Sequence, residues 1–375
     1  MSIRNLSNAA QAETVKLHEG DAVNLDLWKK FVPISIKEIT SVYDRLGIQF
    51  DYTYGESFYH PLLGGVVDRL IKSGMAIESD GATCIFLDGF DAPMIIRKRD
   101  GAFLYATTDL ATIDYRMEHF QPDVILYVVD HRQSEHFSKL FAAARAIGYE
   151  SVELNHISFG TVLGPDGKPF KTRSGSVIGL EYLLDEAVER AYQAVCNPER
   201  LEKAGIEMSE AEMRHVANTV GLGAIKYADL AHNRTSDYEF NTEKMVQLEG
   251  NTSTYIQYMV ARAGSIIRRS GITVDATNIG EFAIELPNVA ERALALQLLQ
   301  FEDALQQVTE EYYPSVLAAY LFGVAKQFAV FFDKCQVLTA ETEELKRSRL
   351  AMCYATGSVL ERGLGLLGIG VVERM

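Results

Sequence analysis

The constraint that most limits what this chain can fold into is a change of hydrophobic period near residue 180. Ahead of it lies Val124–Val129 (VILYVV), a continuous, largely β-branched apolar run. Such a run reads as a strand buried on both faces of a parallel sheet. A helix is expected from about Ser134 to Ile147, stopped by Gly148, and then a second strand near Ile157–Val162. Strand, helix, strand with a crossover of this length reads as a βαβ unit. From Leu180 onward the pattern is helical almost throughout, in segments such as YLLDEAVERAYQAV, YIQYMVARAGSIIRR and VLAAYLFGVAKQFAVFF. The expected fold class is therefore an α/β part followed by an all-α part, with no fixed-period repeat and no low-complexity linker between them.

Upstream of the βαβ unit the reading is mixed. Leu25, Leu27, Trp28, Phe31, Val32 and Ile36 recur at three- and four-residue steps, as a buried helical face would. A second helix is expected over His60–Ser73, ended at Gly74. Ala82–Leu87 and Met94–Arg97 are short β-rich runs, separated by DGFDAP and followed by Asp100-Gly101, which is hairpin-like punctuation. At 375 residues, 47% of them hydrophobic, two or three domains with large cores fit. No run is expected to span a bilayer, and the first residues lack the apolar core of a signal peptide. Cys84, Cys196, Cys335 and Cys353 lie far apart with no C-x-x-C pair, so structural zinc and a disulfide framework are poorly supported and a reducing cytoplasm fits. The N-x-[ST] matches at Asn5, Asn233 and Asn251 are then chance. The net charge of -15 argues against a general affinity for nucleic acid. It leaves room for a local basic strip, because only the surface facing the phosphates must be positive.

Three segments in the first half carry chemistry. Gly164-Pro-Asp-Gly-Lys168-Pro-Phe-Lys171-Thr172-Arg173-Ser174-Gly175 packs glycines and basic residues into a turn just after a predicted strand. Such a loop can bring Lys168 and Lys171 to a polyphosphate, with Thr172 and backbone N–H groups completing a cradle, or it can be a solvated basic hairpin. It is not a Walker A loop. In DGAFLYATTDLA, a helix beginning near Thr107 or Thr108 puts Asp109 in its first turn with Tyr105 close by. A carboxylate beside a phenol suits a planar guanidinium, and a Thr/Asp pair at a helix start also suits plain capping. Asp130-His131-Arg132-Gln133-Ser134-Glu135-His136 follows the apolar strand, at the end of an α/β sheet where ligands sit. Its spacing fixes no tetrahedral metal site, and Gln133 suits orienting a polar substrate. In the helical half, Tyr255, Tyr258, Arg262, Arg268 and Arg269 share one expected helix. Basic residues interleaved with aromatics suit RNA, although tyrosines at helical spacing also suit a core.

Taken together and in order, GESFYHP, DGAFLYATTDLA, YVVDHRQSEHF, FGTVLGPDGKPFKTRSG, LLDEA, GAIKYADLAHNRTSDYEF, EGNTSTYIQYMVAR, FDKCQVL and LLGIGVVERM resemble the class I arginyl-tRNA synthetases from about residue 15 to Met375. The resemblance implies the second half of a Rossmann-like catalytic domain with its insertion over residues 1–180, a helical connection over 181–245, and an all-α anticodon-binding domain over 246–375. It implies ATP with Mg2+ as substrate, no tightly bound cofactor or protein-held metal, and L-arginine and its tRNA as partners. It further implies no membrane association and a monomer.

Residue by residue, Lys168-Pro-Phe-Lys171-Thr172 stands where class I enzymes carry K-M-S-K-S, keeping both lysines but not the middle residues. Glu56, Tyr105 and Asp109 match positions that hold the arginine guanidinium, and Gln133 one that contacts its backbone end. His136, Phe159, Gly160, Thr161 and Val162 would lie near the adenosine, and the Tyr255–Arg269 helix would contact tRNA. One departure stands out: His18, His60, His119, His131, His136, His156, His215 and His232 all lie outside any H-x-G-H pattern. The helix N-terminus that receives ATP in this class is absent with it. The chain is thus expected to correspond to the back part of a longer enzyme and to aminoacylate little by itself, the alternative being a tRNA-binding piece without turnover.

Overall fold

A computed structural model describes residues 9–10, 12–13, 16–17, 20–164, 166–168, 179–197, 199, 201–202 and 205–375. The chain divides into two compact units, residues 1–51 with 179–183, and residues 52–178 with 184–375. The first unit carries helix α1, Ala22–Leu46. The Asp21 carboxylate starts it by accepting from the Val23 and Asn24 amides, both at 3.0 Å, and Gly47 ends it in the left-handed region at φ 63°. No residue of α1 is buried, so the face expected from Leu25, Trp28, Val32 and Ile36 is not a core face. Leu27 and Phe31 point to the other side of the same helix, so its apolar residues form no single stripe.

The second unit opens with α2 (Glu56–Tyr59), a 3-10 turn (His60–Leu62) and α3 (Leu63–Lys72), so the helix expected over His60–Ser73 is present with its first turn tightened to 3-10. Gly74, at φ 76°, ends the segment. An antiparallel meander follows: β1 (Ala76–Ser79), β2 (Ala82–Ile85) and β3 (Met94–Arg97). The expected hairpin thus gains a strand, joined by the Asp80-Gly81 turn. Both turn residues have positive φ, 51° and 78°, as a two-residue hairpin turn requires.

Helix α4 (Tyr105–His119) leads into β4 (Val124–Asp130), and α5 (Ser134–Ala146) crosses over to β5 (Glu153–Phe159). The two strands pair in parallel from Val124↔Glu153 to Asp130↔Phe159, as the βαβ pattern predicts. Burial on both faces does not hold. Ile125 and Tyr127 are buried, with Phe137 of α5 5.0 Å from the Tyr127 ring and Arg116 of α4 on it at 5.3 Å. Both helices therefore cover one face, and Val128 on the other is 66% exposed. Strand β5 also ends earlier than expected. The chain bends at Gly160-Thr161, and β6 (Val162–Leu163) pairs instead with β7 (Tyr238–Glu239).

The rest is helical: α6 (Leu180–Val195), α7 (Glu210–Leu230), α8 (Thr242–Met245), α9 (Ser253–Ser270), α10 (Val289–Leu299), α11 (Phe301–Glu311), α12 (Pro314–Lys334) and α13 (Glu343–Leu366). Helix α12 corrects the expectation that no run could span a bilayer, since it passes by length and by a mean hydropathy of 1.6. Its Leu317, Leu321, Val324, Phe328 and Phe331 are buried in the core shared with α9, α10 and α13. The apolar content of α12 thus fills a helical core. A buried ion pair, Arg349 Nε to Glu291 Oε1 at 2.7 Å, ties α13 to α10.

Candidate active site

The carboxyl ends of β4 and β5 gather most of the first-half candidates. Helix α4 begins at Tyr105, two residues before the expected start, so Asp109 sits in the second turn. The capping role falls to Thr107, whose hydroxyl accepts from the Leu104 amide at 3.4 Å and donates to the Ile96 carbonyl. Asp109 is left for another partner, and His136 in the first turn of α5 supplies it, Nε2 to Oδ2 at 2.6 Å. Tyr105 stands one helical turn before Asp109 and is 72% exposed.

Glu56 is exposed in the first turn of α2. That short helix is held on α4 by aromatic contacts: Phe58 and Tyr59 meet the Tyr115 ring at 5.1 and 5.8 Å. Gln133 is exposed at the residue preceding α5. Among the described residues neither Glu56 nor Gln133 hydrogen-bonds to Asp109 or Tyr105.

The polar run after β4 is largely spent on itself. Asp130 accepts from the Arg132 amide, Nε and Nη2, each at 2.8 Å, and this guanidinium holds its carboxyl well below the usual carboxylate range. His131 Nδ1 lies 3.3 Å from the Phe159 carbonyl, tying the ends of the two strands. Among the described residues no group of three or more His, Cys, Asp or Glu could hold a metal ion.

Phe159, Gly160, Thr161 and Val162 form the bend between β5 and β6. Their backbone is clamped by a distant segment: the Thr161 amide donates to Asp237 Oδ1 at 2.6 Å, and the Gly160 amide to the Arg234 carbonyl at 2.8 Å. Arg234 itself donates to the Ser158 carbonyl at 2.6 Å and to the Tyr312 carbonyl at 2.9 Å. Its guanidinium lies 4.5 Å from the centre of the Tyr313 ring. The sequence reading missed this clamp. Its one local signal is the Asn233-Arg-Thr-Ser-Asp237 turn, where an arginine sits among turn formers.

The loop after β6 turns tightly. The Gly164 amide donates to the Lys168 carbonyl at 2.8 Å and the Gly167 amide to the Gly164 carbonyl at 3.0 Å, with Gly167 at φ 69°. Lys168 is exposed at the end of this turn. Lys171 and Thr172 lie outside the described residues.

In the helical half, Tyr255, Tyr258 and Arg262 are half-buried on one face of α9. Arg262 packs on the Phe332 ring at 3.7 Å, Tyr255 meets Phe322 edge-on at 5.9 Å, and Lys326 lies over Phe322 at 5.5 Å. Lys326, Phe322 and Phe332 are thus neighbours that the sequence reading passed over. The signal was a lysine in the middle of a largely apolar helix. Arg268 points elsewhere, donating to the Glu373 carbonyl at 2.9 Å, and Arg269 is exposed.

A parallel pair of strands with polar residues at its carboxyl ends, followed by a helical bundle with an aromatic and basic face, is an α/β part joined to an all-α part, and the family matches give its class: a class I tRNA synthetase catalytic domain with an anticodon-binding domain. The family of class I (R) tRNA synthetase catalytic domains matches residues 4–242, and the DALR anticodon binding domain matches residues 256–375. The chain belongs to the class I arginyl-tRNA synthetase family. Arginine–tRNA ligase of Rhodopirellula baltica is 55% identical over 98% of this chain and 56% of its own length. That of a Marinomonas species is 45% identical over 96% and 63%. The chain therefore spans about three-fifths of the curated relatives it matches. Among solved structures, arginyl-tRNA synthetase from Plasmodium falciparum superposes with a TM-score of 0.85 at 29% identity, over 99% of this chain and 62% of that one. The Thermus thermophilus arginyl-tRNA synthetase shares the fold, with a TM-score of 0.83 at 24% identity, over 99% of this chain and 67% of that one.

Proposed function

We propose that the chain serves the ATP-dependent attachment of arginine to its tRNA. The arginine carboxylate attacks the α-phosphorus of ATP, pyrophosphate leaves, and the arginyl group passes from the adenylate to the terminal ribose of the tRNA. The observation that carries this reading is the pair formed by exposed Tyr105 and partly exposed Asp109, set one turn apart beside the carboxyl end of β4. A carboxylate with a neighbouring phenol offers a guanidinium charge-assisted hydrogen bonds that an ammonium cannot reproduce in the same plane. In this reading Glu56 completes the guanidinium site and Gln133 meets the amino-acid end. The bend Phe159–Val162 lies along the adenosine. Lys168, Lys171 and Thr172 meet the phosphates, and Mg2+ enters with them. Catalysis then rests on positioning and on stabilising charge on the departing pyrophosphate, with no covalent enzyme intermediate.

Residues 1–180 would serve adenylate chemistry, 181–245 would connect, and 246–375 would bind tRNA through Tyr255, Tyr258, Arg262 and Arg269, with Arg268 partly engaged by the C-terminal segment. We further take the chain to act as a monomer in a reducing cytoplasm, a reading supported by its four buried cysteines. A second reading, tRNA binding without turnover, is favoured by the lack of any H-x-G-H in the sequence. ATP–pyrophosphate exchange with arginine and tRNA present, run beside tRNA filter binding, separates the two. Arginine-dependent exchange supports ligation, and tRNA retention without exchange supports the binding reading. Absence of both sinks the proposal.

A further inference from the structure

We infer that His136 is a positioning residue for arginine: its Nε2–H holds Oδ2 of Asp109 and so presents Oδ1 to the incoming guanidinium. The inference deepens the arginine reading above and rests on it. It moves His136 from the adenosine role that the family resemblance implies to the amino-acid side of the site.

The geometry behind it is specific. The two residues are 27 apart in sequence and sit on successive helices, α4 and α5, which pack on the same face of the β4–β5 pair. Their contact, 2.6 Å from Nε2 to Oδ2, is within the range of a charge-assisted hydrogen bond. With Asp109 ionised, the carboxylate can only accept, so Nε2 must carry the proton. Both side chains are about a third exposed, 29% for His136 and 30% for Asp109, so a solute can reach the carboxylate while the contact is kept. Among the described residues Asp109 has no other hydrogen-bond donor.

A lone aspartate at this exposure would rotate about χ2. A guanidinium fork needs the carboxylate plane fixed to within tens of degrees, so ordering it in advance lowers the entropy lost when arginine binds. The His136 ring is braced in turn by an edge-on contact with Phe137 at 5.3 Å.

The test measures L-arginine and, separately, ATP binding by equilibrium dialysis to the full chain and to His136→Ala and His136→Gln. Thermal melts serve as the fold control. The expected result is an arginine affinity about ten-fold weaker in His136→Ala, since hydrogen bonds to charged groups carry roughly that weight. ATP binding stays unchanged. Glutamine, whose Nε2 also donates, restores most of the arginine affinity. Discrimination against L-citrulline narrows in the alanine variant and recovers in the glutamine variant. Unchanged arginine binding in His136→Ala overturns the inference alone, and so does a loss of ATP and arginine affinity together, or a failure of glutamine to rescue. If the unmodified chain binds no arginine at millimolar concentration, the underlying arginine reading falls and takes the inference with it.

Discussion

At Gly160 a missing methyl group decides whether two distant segments can touch. A Cβ there would stand 2.5 Å from the Ser236 carbonyl oxygen and 2.9 Å from the Asp237 amide, both backbone atoms with little freedom to retreat. Gly160→Ala should therefore push the Arg234–Tyr238 segment off the β5–β6 bend and destabilise the fold by roughly 1–3 kcal/mol. The local signature would be faster hydrogen exchange at the Thr161 amide, now held by Asp237 at 2.6 Å. An unchanged melting temperature with unchanged Thr161 protection would refute this account. The same residues mark what a sequence can and cannot disclose at this scale. Tyr105 and Asp109 were readable as neighbours because they lie four residues apart at a helix start, but their i, i+4 spacing on one helix was not, since the helix begins two residues earlier than the sequence suggested. The partnership of Asp109 with His136 was not, because it depends on how two helices cross.

Between elements, two arginines do structural work of different kinds. Arg234 reaches from the β5 end to the α11–α12 junction, with Tyr312 held at φ 56° where its carbonyl accepts from Nε. Arg234→Ala removes two hydrogen bonds from a charged donor and the stacking on Tyr313, and should lower stability by roughly 2–3 kcal/mol. Arg234→Lys should recover little, because one ammonium cannot reach both carbonyls in the fork geometry. Chemical denaturation of the three proteins checks the ranking, and a lysine variant as stable as the parent would refute the fork argument. Arg349, by contrast, is buried against a fully buried Glu291, which also accepts from the Asn288 amide at 2.7 Å and so caps α10. Glu291→Gln leaves the buried Arg349 guanidinium with the Gln336 carbonyl at 2.8 Å and the exposed Glu341 carboxylate at 3.7 Å, and should destabilise by roughly 2–4 kcal/mol, whereas a Glu291→Met/Arg349→Met double variant should regain much of that loss. Legibility at this scale was partial. The run VILYVV announced a parallel strand, since apolar β-branched residues on both faces say as much. It did not reveal that α4 and α5 lie on one face, leaving Val128 outward. In sequence, helix α12 reads as an ordinary helix although it is long and apolar enough to cross a membrane, and a core helix and a spanning helix can share a composition and differ only in what surrounds them.

Across the whole molecule, the α/β-then-α order was readable because hydrophobic period changes once, near Leu180, and long periodic helices are hard to mistake. The electrostatic consequence of packing such large cores was not, since composition does not say which titratable groups end up inside. Burial raises Tyr127, Tyr149, Tyr320 and Cys353 to about 12. Unfolded tyrosine and cysteine titrate near roughly 10 and 8.5. Below about pH 8 these groups are protonated in both states and stability is insensitive to them. Above the unfolded values, the unfolded chain sheds protons that the folded chain retains, so the unfolded state binds fewer protons and stability falls as pH rises. Lys226, whose affinity for its proton is lowered by burial, works in the opposite direction, but it stands against these four and against Tyr227 and Tyr238, which burial raises further. The melting temperature should thus be level from about pH 7 to 8 and decline progressively from about pH 8.5 to 11, steepest beyond 10 where the tyrosines join. Cys353→Ala should make the early part of that decline shallower, between about pH 8.5 and 10, with Cys84 and Cys335, whose thiols burial also raises, supplying the remainder, and leave the tyrosine part in place. Differential scanning calorimetry across this range checks it, and a melting temperature that held steady to pH 11 would show that these buried hydroxyls and the thiol ionise in the folded state.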